Sequence, residues 1–235
     1  MDSPQIAVLS QQQQLKRRMD VVANNLANLS TTGFKRHLAI AGVRGSGLAV
    51  VDQPQATRLS ATPLDLRQGT LGSTGNALDM AIEGEGYFQV ETAEGLRLTR
   101  NGRFSQNPEG TLVTSAGDPM LDVGGAPVEL PPDAGAISVA PDGTLTANGR
   151  ILAQIGVVNA AVASEGDGLF RPLDEPEPLL GAQVRQGVLE ASNVSPVEEL
   201  AEMIEIQRAY EYAARLTQAE HERQQRATQV MGRSA

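Results

Sequence analysis

Apolar residues recur with helical spacing at both ends of this 235-residue chain and with a shorter, interrupted rhythm between them. Near the start, Leu15, Met19, Val22, Leu26 and Leu29 follow one another at spacings of 4, 3, 4 and 3, the seam of a helix that packs against another helix. The pattern predicts a helix from about Gln5 to Thr32, roughly 40 Å long. Ile6 and Leu9 extend its apolar face upstream, and Gly33 stands where a left-handed residue would end it. Near the other end, Ser195 and Pro196 supply an N-cap and a first helical residue, with Glu198 at the capping-box position. Val197, Leu200, Met203, Ile204, Ile206, Tyr210 and Ala213 then form an apolar stripe, while Glu199, Glu202, Glu205 and Arg208 populate the opposite face.

Glycine and proline mark off the middle. Of 24 Gly, 23 lie between Gly33 and Gly187, as do 11 of 13 Pro, whereas Gln5 to Thr32 and Val197 to Met231 contain neither. Both residues are costly inside a helix, so two terminal helices bracket a turn-rich centre. Short strands are expected at Tyr87–Val90, Leu96–Thr99, Thr111–Thr114, Ile137–Val139 and Ile151–Val158. Asn148-Gly149 signals a type I′ hairpin and Asn101-Gly102 a second one, while Gly84-Glu85-Gly86 reads as a tight turn. The fold class expected is a mainly β central domain with long N- and C-terminal α-helices that pair as a coiled coil. The expected organisation is a helix over 1–36, an extended connector over 37–73, the β domain over 74–187 and a second helix over 188–235.

Charge adds a reason for the ends to interact. Residues 1–36 carry five Lys and Arg against two Asp, a balance of +3, and residues 188–235 carry five Arg against eight Glu, a balance of −3. The two helices are complementary. Neither can bury its stripe alone in water, so each must pack on the other, on the middle region, or on other copies. The net charge of −9 argues against a nucleic-acid partner, whose phosphates are held chiefly by Lys and Arg. No run approaches the roughly 18 apolar residues of a membrane span. The basic cluster Lys16-Arg17-Arg18 is not followed by the apolar core of a secretory signal, so export, if it occurs, is expected without a cleaved signal peptide.

Candidate chemistry is sparse. The absence of Cys removes thiolate catalysis and Cys-based zinc sites, and His37 and His221 are the only histidines, both expected to face solvent. No metal-binding or phosphate-cradling motif is present. No catalytic, cofactor-binding or metal residue is therefore assigned, and no cofactor is expected. The chain is read as a non-enzyme.

Three blocks of residues resemble one family. Val22-Ala-Asn-Asn-Leu-Ala-Asn28 followed by Ser30-Thr-Thr-Gly-Phe-Lys35 is similar to the N-terminal signature of flagellar rod and hook proteins. The stretch from Thr74 to Phe88, then Thr99–Phe104 and Gly110–Thr114, resembles that family's central β region. Gly187–Val194 and Glu202–Glu211 resemble its C-terminal signature, so the likeness spans nearly the whole chain. Within the family, Met1-Asp2, the Arg17–Asp20 stretch and the tail after Tyr210 look more like the proximal-rod type than the distal-rod type, which is the alternative.

The resemblance implies a structural subunit of the bacterial flagellar basal-body rod, where the rod crosses the periplasm. Such a subunit self-assembles through its terminal helices and transmits torque from motor to hook. Its partners would be further copies, other axial rod proteins and the flagellar type III export apparatus. The subunit interface is expected at Leu15, Met19, Val22, Asn25, Leu26, Leu29, Val197, Leu200, Ile204, Ile206 and Tyr210. A reading from another class, a secreted glycan-binding or glycan-cleaving β domain with oligomerising ends, would need convergent acids or aromatic platforms, and the sequence displays none.

Overall fold

The computed structural model describes the backbone over residues 3–39, 63–131 and 134–232, and side chains over 10–39, 63–131 and 134–219. Much of the expected connector over 37–73, with Ile6, Leu9 and His221, lies outside the described side chains. Among the described residues there are two helices, α1 (Ser3–Ala27) and α2 (Pro196–Gly232). Between them come β1 (Leu71–Ser73), β2 (Met80–Glu83), β3 (Tyr87–Thr92), β4 (Gly95–Thr99), β5 (Ser105–Gln106), β6 (Leu112–Val113) and β7 (Ile137–Val139). There follow β8 (Thr144–Ala147), β9 (Arg150–Gln154), β10 (Val157–Asn159), β11 (Val162–Gly166), β12 (Leu169–Pro172), β13 (Glu177–Pro178), β14 (Gln183–Gln186) and β15 (Val188–Glu190). The chain divides into two compact units, one built on the helices and the other on Asn28–Arg36 and the β region to Val194.

In the helical unit, α1 and α2 pack on each other through Leu15, Val22 and Ile206, with Met19, Met203 and Ala209 beside them. Arg18 meets Glu202 at 3.0 Å and Asn25 meets Glu199 at 3.1 Å, so the helices run antiparallel. Helix α2 begins at Pro196, as its cap residues predict. Helix α1 ends at Ala27 rather than near Thr32, and Leu29, the last member of the expected seam, lies beyond it. Gly33 does not cap α1. It takes a φ of +70° in the segment after the helix, where a Cβ would come within 2.4 Å of the Arg100 backbone.

The β unit has a large apolar core, including Met80, Ile82, Phe88, Val90, Leu112, Met120, Leu130 and Leu145, and a smaller cluster of Tyr87, Leu98, Val158 and Phe170. A six-stranded antiparallel sheet in the order β11-β12-β4-β3-β10-β13 contributes Phe88, Val90 and Val157 to the large core, and β2, β6, β7, β8 and β14 with their connecting segments contribute the rest. Strands far apart in sequence are joined by β1 with β15 and β2 with β14, so the last strands before α2 close onto the first ones of the unit. Asn148 and Gly149 have φ of 51° and 74°, the type I′ turn expected between β8 and β9.

Two local expectations are corrected. Ile151–Val158 is not one strand, because the chain leaves the three-stranded β7-β8-β9 sheet at Ile155 and enters the six-stranded sheet at Val157. Gly156 at the crossover lies so close to Asp122 that a Cβ would sit 3.0 Å from its carbonyl oxygen. Asn101-Gly102 forms no hairpin, since β4 pairs with β3 and β12 while β5 pairs with β6. Gly102 instead brings its backbone against β2, accepting from the Met80 N–H at 2.9 Å, where a Cβ would be 1.5 Å from the Met80 carbonyl oxygen.

Candidate subunit interface

The residues expected to form an interface separate into two sets. Leu15, Val22, Asn25 and Ile206 are buried inside the helical unit of one chain, and Met19 and Leu26 are half-buried. Leu29 is half-buried as well, in the β unit. Val197, Leu200, Ile204 and Tyr210 are exposed, at 77%, 47%, 50% and 46%. The apolar stripe read along α2 is therefore split between an inward side, on Met203, Ile206, Ala209 and Ala213, and an outward side whose most apolar members are Val197, Leu200 and Ile204. Tyr212 and Leu216, outside the predicted stripe, are exposed too.

Glu199 overturns the expected polar face. It lies fully buried at the start of α2, where Asn25 donates to its carboxylate. The same Asn25 amide also donates to the His37 carbonyl at 2.9 Å and accepts from the His37 N–H at 2.9 Å. In the N-terminal motif Asn25 thus bonds across to α2, and Asn28 accepts from the nearby Thr31 hydroxyl. His37 is half-buried rather than solvent-facing, and burial lowers its pKa below the ordinary 6.5.

A second buried polar cluster, missed in the sequence, lies in the β unit. Glu190 accepts from Lys35 Nζ at 2.7 Å, from Arg100 Nη1 at 3.2 Å and from the Gly69 N–H at 2.9 Å, and all three charged side chains are buried. Lys35 also donates to the Arg67 carbonyl at 2.9 Å. Arg100 donates to the Gly84 carbonyl at 2.7 Å, and its guanidinium lies 5.4 Å from the centre of the Tyr87 ring. Burial pushes the Lys35 ammonium below its usual pKa while Glu190 pulls it back up. The hint in the sequence is that Lys35, Arg100 and Glu190 each fall inside a recognised block.

Among the described residues no group of three or more His, Asp or Glu side chains is placed to hold a metal ion, and no described helix is long and apolar enough to cross a membrane. The helical unit presents to solvent the apolar row Val197, Leu200 and Ile204 on α2.

In comparison with known proteins, residues 9–35 match the family described as flagella basal body rod protein, residues 81–147 the flagellar hook protein FlgE/F/G D1 domain, and residues 185–230 the flagellar basal body rod FlgEFG protein C-terminal family. A flagellar basal-body rod protein FlgF of Caulobacter vibrioides is 38% identical over 99% of both chains. One from Mesorhizobium japonicum is 37% identical over 88% of this chain and 89% of its own. A FlgG of Bacillus subtilis is 30% identical over 86% of this chain and 89% of its own. With all three recognised blocks matched and the likeness running from end to end, the chain belongs to the flagellar basal-body rod protein family.

Proposed function

We infer that this chain is a structural subunit of the flagellar rod, of the FlgF type, built into the proximal rod. The observation that carries the reading is full-length similarity: 38% identity to a FlgF covers 99% of both chains, against 30% to 34% for FlgG proteins over 82% to 86% of this one. The outward side of α2 supports it, because an exposed row of Val197, Leu200 and Ile204 has a reason to exist in a protein that polymerises. Assembly pairs the terminal helices of neighbouring copies as a coiled coil. The interface then comprises the outward residues Val197, Leu200, Ile204 and Tyr210, with Met19, Leu26 and Leu29 completing contacts that one chain leaves half-made.

Torque passes from motor to hook through this helical layer, and no step of the function requires catalysis. Delivery is by the flagellar type III export apparatus, and other axial rod proteins adjoin the subunit in the rod. Membership in a rod family supports this over a glycan-binding reading. In the cell that encodes it, deleting the chain should abolish swimming and leave basal bodies without a hook, with both restored by the full chain. Normal swimming in the deletion strain would refute the reading. Recovery of the chain from the distal rather than the proximal rod segment would turn it to the FlgG type.

A further inference from the structure

Glu190 lies at the meeting point of three chain segments: residues 33–36 after α1, residues 65–69 before β1, and β15 with the residues after it. Their dependence on one another is unequal. Strand β15 has a backbone ladder of its own, pairing with β1 at Leu71, Gly72 and Ser73, and the ladder continues from the Ala191 N–H to the Thr70 carbonyl at 2.9 Å. The segment 33–36 belongs to no strand. Gly33 donates to the Glu190 carbonyl at 2.8 Å, Arg36 donates to Asn193 Oδ1 at 2.7 Å, and Lys35 enters the buried cluster. Asn193 is itself anchored, donating to the Asp65 and Arg67 carbonyls at 2.8 and 2.9 Å.

The charges are unequal in the same sense. With Lys35 removed, Glu190 and Arg100 remain a neutral pair, with the Gly69 N–H still on the carboxylate. With the Glu190 charge removed, Lys35 and Arg100 are two buried cations facing one neutral group, the costliest arrangement of the cluster. We propose that Glu190, Arg100 and the Gly69 N–H form a preassembled cation socket into which Lys35 plugs, so that the segment following α1 docks on the β unit only after the segment leading to α2 has docked. The two ends of the chain are thereby attached in a fixed order, the C-terminal one first. This goes beyond the proposed rod role and does not depend on it, since docking takes place within one chain.

Amide hydrogen exchange on full-length variants tests the order. Lys35→Met should speed exchange at Gly33 and Arg36 by about tenfold or more while leaving Ala191, on the β15 ladder, at its wild-type rate. Glu190→Gln should speed all three. The double variant, which removes the stranded ammonium, should slow Ala191 again relative to Glu190→Gln alone. If Glu190→Gln does not fold, folding of the double variant stands in for that comparison, and its failure to fold counts against the socket. The proposal is overturned if Lys35→Met opens Ala191 as much as Gly33, if it leaves Gly33 and Arg36 protected, if Glu190→Gln leaves those two protected, or if the double variant is no slower than Glu190→Gln at Ala191.

Discussion

At position 199 a carboxylate sits where solvent was expected, and one amide explains how it is held there. Asn25 answers Glu199 on one side and both backbone groups of His37 on the other, so a single side chain fastens α2 and the segment after Arg36 to α1. Asn25→Ala would leave buried polar groups without these partners and should destabilise the helical unit by about 2–3 kcal/mol. The change is read as a lower midpoint for loss of helical signal in urea, and an unchanged midpoint would deny Asn25 that role. His37 gives the same unit a pH response. Its folded pKa lies below 6.5 because burial disfavours the charged ring, so below that pH the unfolded chain binds more protons and stability falls. Above 6.5 the contribution is complete. His37→Gln should therefore narrow the difference in urea midpoint between about pH 7.5 and about pH 5.5, and an equal difference in both proteins would contradict it.

Among the elements, α2 separates what was legible from what was not. Its start at Ser195-Pro196 could be read because caps are local features, whereas the Gln- and charge-rich run after Leu216 left open in sequence whether the helix continued, and α2 runs on to Gly232. Which side faces inward could not be read either, since apolar residues occur on both and only α1 distinguishes them. The β strands divide the same way. Tyr87–Val90, Leu96–Thr99 and the Asn148-Gly149 turn carry short-range signals, whereas the pairings of β1 with β15 and β2 with β14 depend on partners remote in sequence. Asn101-Gly102 shows the limit of a turn motif, because Gly102 is required by the closeness of Met80 and not by a reversal of the chain. The split of α2 yields a discriminating pair of substitutions. Ile206→Ala opens a cavity against Leu15 and Val22 and should cost the free subunit about 2–4 kcal/mol. Ile204, half-exposed, should tolerate Ala within about 1 kcal/mol, while Ile204→Asp should prevent rod assembly although the purified subunit keeps its helical content. Assembly of the Ile204→Asp subunit would remove the outward side of α2 from the interface.

Across the molecule, the two units differ in how much their described residues bury. The β unit encloses Met80, Phe88, Leu112, Met120 and Leu145 in a continuous core and adds the Glu190 cluster. The helical unit, by comparison, has Leu15, Val22 and Ile206 at the centre of its apolar contact, with Val197, Leu200 and Ile204 left in water. Hydrophobic stabilisation scales with apolar area removed from solvent, so the helical unit is the weaker of the two in the free subunit. The free subunit should accordingly unfold in two steps in urea, with helical circular dichroism lost at lower concentration and the β signal at higher. Once subunits are assembled, binding to the folded form alone moves the first step upward toward the second. Isolated rods in which the helical signal still melts at the free-subunit midpoint would show that assembly does not bury this surface. A single cooperative transition in the free subunit would show instead that the helices are as firmly held alone as the β core.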